Sequence, residues 1–211
     1  MKIEFLSRQV PLPSAMHRIL RAGCLIFLCG RFAAPAQAQQ HAHGLGPVTI
    51  PKGALYTEAD VRFMQGMIAH HAQAIYMSRL AAAHQAGPRL LRFAQKIDQS
   101  QIAEIVLMQE WLVANKQVAP DTGSWRTMPM PGMLTAEQLG TLEAATGAEF
   151  DRRFLTLMIQ HHEGALQMVT DLLASPRAAQ DVDVSVLASD IQVVQTAEIG
   201  VMRQMLSDIQ P

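Results

Sequence analysis

The chain has 211 residues, of which 49% are hydrophobic, and 17 Lys and Arg stand against 18 Asp and Glu. This near-neutral balance, with no basic patch, excludes a nucleic-acid binder working by phosphate neutralisation. With only two cysteines, Cys24 and Cys29, a dense disulfide scaffold is excluded as well.

The first 38 residues read as a secretory signal peptide. Arg18 and Arg21 precede the apolar run Ala22 to Cys29, and Ala36-Gln37-Ala38 has the small-x-small form of a cleavage site. Met16 offers an alternative start. The apolar run is shorter than the ~20 residues a bilayer span needs, so stable membrane insertion is not expected. Cleavage near Ala38 would deliver the chain to the periplasm or the medium. Both cysteines leave with the leader, together with five of the 17 basic residues and one of the 18 acidic ones. The mature chain then keeps twelve basic and seventeen acidic residues and has no thiolate for a metal. Its length of roughly 170 residues suits one domain.

Residues 39–56 show no periodicity and are expected to form a flexible arm; His41 and His43 there make a weak cation-binding signal. Thr57 is placed as an N-cap, with Glu58 and Asp60 in the first turn. Phe63, Met67, His70, Ala74 and Met77 then follow helical spacing, and the helix is expected to run to about Ala86, before Gly87-Pro88. A second helix carries Ile97, Glu104 and Trp111 on one face and ends near Asn115. Residues 117–134, with Pro120, Gly123, Pro129, Pro131 and Gly132, read as an irregular linker. A short helix from Thr135 to about Thr146, a long one from Ala148 to Ala174 and a last one from Asp183 to Ser207 complete the chain.

The chain repeats itself. Asp60 to Met77 and Asp151 to Met168 share Asp, Arg, Phe, Met, Ile, His-His, Ala and Met at the same relative positions. The helices that follow repeat too: Gln101-Ile-Ala-Glu104-Ile-Val-Leu-Met108 aligns with Gln195-Thr-Ala-Glu198-Ile-Gly-Val-Met202. The unit is a helical hairpin used twice, in halves of about 57–116 and 147–207. Residues 57–211 are therefore expected to be an all-α, four-helix bundle domain with a short extra helix in its linker.

The repeat concentrates the chemistry. His70, His71, His161 and His162 lie on or beside the apolar stripes, and Glu104 and Glu198 occupy core-type positions in the partner helices. A buried carboxylate costs several kcal/mol without a partner, so these histidines are its natural partners. Two readings follow. In one, His–Glu and His–Gln hydrogen bonds fix the helix register while methionines fill gaps. In the other, the site holds a metal. Met67 with His70 and His71, and Met158 with His161 and His162, stand three and four residues apart, on one helical face. Thioether and imidazole without thiolate suit copper, Cu(I) above all. Zinc, which would draw on His with Glu104 or Glu198, is the less favoured ion. Met128, Met130 and Met133 crowd the linker and suggest an exposed cluster for Cu(I) capture. No nucleophile–base pair or phosphate loop is present in the sequence. A di-iron enzyme site is disfavoured because no Glu-x-x-His occurs.

The pattern F-x-x-x-M-I-x-H-H-x-x-A-x-x-M, at Phe63 to Met77 and again at Phe154 to Met168, resembles the DUF-305 family (domain of unknown function 305). So do Met130-Pro-Gly-Met133 and the Gly147-Ala-Glu-Phe-Asp151 segment. The resemblance implies a ferritin-like four-helix bundle, export and, for some members, periplasmic copper binding linked to copper tolerance. It implies Met67, His70, His71 and Met77 as ligand candidates in the first copy and Met158, His161, His162 and Met168 in the second. A copper-handling partner protein would fit that role. The copies differ at Gln73, where Gly164 stands in the second, so the two halves are expected to be unequal.

Overall fold

The computed structural model describes residues 47–209; the signal-peptide reading of residues 1–38 lies outside them. The described residues are all-helical and without strands: α1 Glu58–Ala83, α2 Pro88–Ala114, α3 Ala136–Glu143, α4 Gly147–Ala174 and α5 Val182–Ile209. A 3-10 turn, Ser124–Arg126, adds order in the linker that its prolines and glycines had argued against.

The helix ends follow from local chemistry. Asp60, fully buried, takes up the start of α1: one carboxylate oxygen accepts from the Thr57 amide (2.6 Å) and hydroxyl (2.8 Å). The other accepts from the Ala179 amide at 2.6 Å, tying the turn after α4 to α1. At its far end α1 stops one turn earlier than its sequence suggests. Gln85 turns left-handed (φ +57°) and the Ala86 amide bonds back to the Ala81 carbonyl at 3.0 Å, a Schellman closure. Pro88 then opens α2, where its missing N–H costs nothing. Thr135 and Gln138 cap α3 reciprocally.

The four long helices form two hairpins, α1 on α2 and α4 on α5, which meet chiefly through α1 and α4. The register between α1 and α4 is antiparallel. Asp60 meets Ala179, His70 meets His161, and the His84 carbonyl accepts from the Gly147 amide at 2.9 Å. One apolar cluster, with Tyr56, Met67, Trp111 and Ile191, fills the end where α1 begins; another, with Met77, Phe150, Phe154 and Met158, fills the opposite end. The histidines lie between them. Of the expected arm, residues 47–56 are described, and they are anchored to the bundle. Tyr56 packs edge-on against Trp111, with ring centroids 5.2 Å apart, and the Gln117 side-chain amide donates to the Thr49 carbonyl at 2.9 Å.

Candidate metal centre

Helix α1 places His70 and His71 in the bundle interior, and α4 does the same with His161 and His162; all four are inaccessible to solvent. The repeat-equivalent pair His70 and His161 face each other with ring centroids 3.8 Å apart. Each neighbour turns instead toward the second helix of its own hairpin. His71 Nε2 lies 2.5 Å from a Glu104 carboxylate oxygen, and His162 Nε2 lies 3.0 Å from one of Glu198. Both carboxylates thus find the histidine partners expected of them, but only Glu198 is buried; Glu104, expected in the core, stays partly open to solvent.

All four rings hydrogen-bond through the same nitrogen. His70 Nε2 donates to the Pro131 carbonyl (3.0 Å) and His161 Nε2 to the His70 carbonyl (3.1 Å). A carbonyl or carboxylate oxygen only accepts, so in the neutral ring Nε2 carries the proton and Nδ1 keeps its lone pair. All four Nδ1 atoms are buried and without a hydrogen-bond partner. Burial, reinforced by the His71 charge, lowers the His70 pKa from 6.5 to about 3. Burial also holds His161 well below its ordinary value, with His70 adding to the effect. Both rings therefore stay neutral, with lone pairs ready for a Lewis acid. A ligand histidine whose other nitrogen is fixed on a carbonyl or carboxylate has the outer-shell arrangement metals use. The residues present fit a metal in that respect.

The sulfur donors surround this layer. Met67, Met77 and Met158 are fully buried and Met168 is half-buried. Met67 belongs to the apolar cluster against which Met168 packs, whereas Met77 and Met158 belong to the other. Each side of the histidine layer thus has one methionine from each copy. Among the described residues, no three of His, Asp and Glu are placed to grip one ion. The inward glutamines Gln101 and Gln195 are buried with both amide atoms unpartnered.

The linker is where the sequence reading changes most. Its methionines do not form an exposed cluster: Met128 is buried against Ala69, while Met130 and Met133 are half-buried. A Cβ on Gly66 would stand 3.0 Å from the Met130 sulfur. The linker lies across the histidine layer. The Gln73 side chain grips the Leu134 backbone, accepting from its amide at 2.7 Å and donating to its carbonyl at 3.1 Å. Pro131 and Gly132 rest on Gly164, where a Cβ would fall 2.1 Å from the Pro131 oxygen. The Gln73/Gly164 difference between the copies is thus the seat of the linker. Sequence reasoning did not identify Pro131 as a histidine partner, nor Lys96, whose ammonium sits 3.5 Å from Glu198.

The family described as Domain of unknown function (DUF305) matches residues 60–206. No protein of curated function matches the chain. A DUF305 protein from Streptomyces coelicolor is similar in structure, with a TM-score of 0.64 and 27% identity, covering 72% of this chain and 93% of that one. A DUF305 fragment from Deinococcus radiodurans gives 0.62 and 27%, covering 72% and 98%. CopM in its Cu(I)-bound form gives 0.57 and 29%, covering 72% and 98%; it has also been solved with Cu(II) and with silver. The match over residues 60–206, with the doubled His-His motif and the shared helical fold, places this protein in the DUF305 family.

Proposed function

We propose that this protein is an exported, periplasmic copper-binding protein that holds Cu(I) for sequestration, buffering or tolerance rather than for catalysis. The observation that carries the reading is the set of four buried Nδ1 atoms, each without a hydrogen-bond partner while its Nε2 is committed to an oxygen. His70, His71, His161 and His162 would supply nitrogen, and Met67, Met77, Met158 and Met168 sulfur. Imidazole and thioether together suit a soft monovalent ion. The likeness to CopM, solved with copper and silver, adds support. Export rests on the leader at residues 1–38, and a partner that delivers or receives copper is part of the proposal. Titration of the mature protein with Cu(I) against a competing chelator should give a Kd well below ~1 μM. Replacing all four histidines with alanine should abolish it.

One observation favours a second reading, a hydrogen-bond network that only sets register: every Nε2 already has a partner. The two readings separate in a melt. Free Cu(I) at a hundred times Kd should stabilise the fold by ~2.7 kcal/mol, whereas a pure network predicts no change.

A further inference from the structure

The two His–Glu couples are repeat-equivalent, yet their surroundings differ. The Glu104 side chain is 16% exposed, and among the described residues no Lys or Arg lies within ion-pair distance of it. The Glu198 side chain is 3% exposed, and the Lys96 ammonium of α2 stands 3.5 Å from its Oε1, reaching across from the other hairpin. Lys96 itself is 64% exposed, so a solvated cation is posted over the second carboxylate and none over the first. We propose that Glu104 is the port through which a soft monovalent cation reaches the buried imidazoles, and that Lys96 closes the equivalent route at Glu198. This rests on the copper reading above.

The chemistry follows from the placement. All four imidazoles are sealed from solvent, so an aqueous ion cannot meet them directly. It needs an intermediate donor that touches both water and a histidine. Glu104 does both: it reaches solvent and holds the Nε2–H of His71, so an ion at its outer oxygen stands beside the ring whose other nitrogen, Nδ1, has no partner. A negative oxygen at the rim raises the local cation concentration and exchanges ligands readily. At Glu198 the same carboxylate is nearly sealed, and the ammonium beside it neutralises the attraction and repels a second cation. Charges at a rim act mainly on the association rate and do so in a salt-dependent way.

The test is quench-flow uptake of Ag(I) by the mature protein in chloride-free buffer, with thiosulfate as quench and the metal content of the desalted protein as readout. The wild type should load in a fast and a slow phase. Glu104→Gln, which keeps an oxygen acceptor for His71, should slow the fast phase by about tenfold and remove most of its salt dependence. Lys96→Gln, an exposed change that leaves the core untouched, should accelerate the slow phase several-fold. If Lys96→Gln loads at the wild-type rate, or Glu104→Gln loads as fast as the wild type, the port assignment is overturned while the metal reading stands. If the wild type holds no silver at equilibrium, the metal reading falls and the port falls with it.

Discussion

Replacing Gly164 with alanine tests whether the linker is seated on α4 as tightly as the geometry implies. The added methyl carbon would sit 2.1 Å from the Pro131 oxygen, 2.4 Å from its carbonyl carbon and 2.5 Å from the Gly132 Cα. These are backbone atoms, so no side-chain rotation relieves them, and the linker must retreat by more than an ångström. Pro131 accepts the His70 bond at 3.0 Å, so that retreat breaks it and leaves a buried N–H unpaired. Overpacking costs about 1–3 kcal/mol and the orphaned donor about 1–3 kcal/mol more. Alanine returns about 1 kcal/mol of helix propensity. The net expectation is a loss of about 1–5 kcal/mol, or a fall in Tm on the order of 10 °C. Gly66→Ala is the control. Its methyl would meet only the Met130 sulfur at 3.0 Å and the Met168 terminal carbon at 3.3 Å, both free to swing, so it should stay within about 1 kcal/mol of the wild type. Thermal melts of the metal-free proteins decide the matter. A Gly164→Ala protein that melts with the wild type would refute the seating.

Three further outcomes follow. Lowered pKa values in the folded state mean that the unfolded chain takes up protons first, so the metal-free protein loses stability as pH falls below 6.5. His70 should cost about 2 kcal/mol between pH 7.5 and pH 5, with His161 adding in the same direction, read from urea melts; a flat profile would show that the rings keep their ordinary pKa when folded. Gln101→Met, with Gln195→Met beside it, removes buried amides that have no partner and should raise metal-free stability by about 1–3 kcal/mol each; a lowered Tm would mean the amides are paired. Asp60→Ala removes the acceptor for the Thr57 amide, the Thr57 hydroxyl and the Ala179 amide and should cost about 2–4 kcal/mol by chemical denaturation.

The hairpins were legible because their signal is periodic. Apolar residues three and four apart, repeated in two halves, leave few ways to bury four stripes. The burial of Glu198 was legible for the same reason, and so was the pairing of both carboxylates with histidines; the partial exposure of Glu104 was not. What was not legible lies in backbone and through-space pairing. No spacing rule points from His70 to the Pro131 carbonyl 61 residues away. A methionine-rich loop reads as exposed until something shows what it packs on, and the seat for Met130 is the missing side chain of Gly66. The one available clue was the Gln73/Gly164 difference, which looked like a change of bulk. It is a pair of anchors, a long amide that grips the linker on α1 and a bare helix surface that admits it on α4.

Duplication by itself gives two equal half-sites, and equality would persist only if whatever joins the halves stayed outside. Here the joining segment passes over the axis between them. In a symmetric pair each central histidine would donate to the other's carbonyl. His161 does donate to the His70 carbonyl, but His70 has exchanged that bond for Pro131. The linker has thus replaced a contact of one half and left its twin intact. Lys96 breaks the symmetry a second time, at the carboxylate of the other couple. The two breaks fall on opposite copies: the linker holds His70 in the first, and the ammonium covers Glu198 in the second. The couple left with neither a strap nor a counter-charge on its outer atoms is His71–Glu104, the one that meets solvent. A symmetric bundle would offer a cation two equivalent routes. Under the copper reading proposed above, this one should load at two rates even where the ligands are alike.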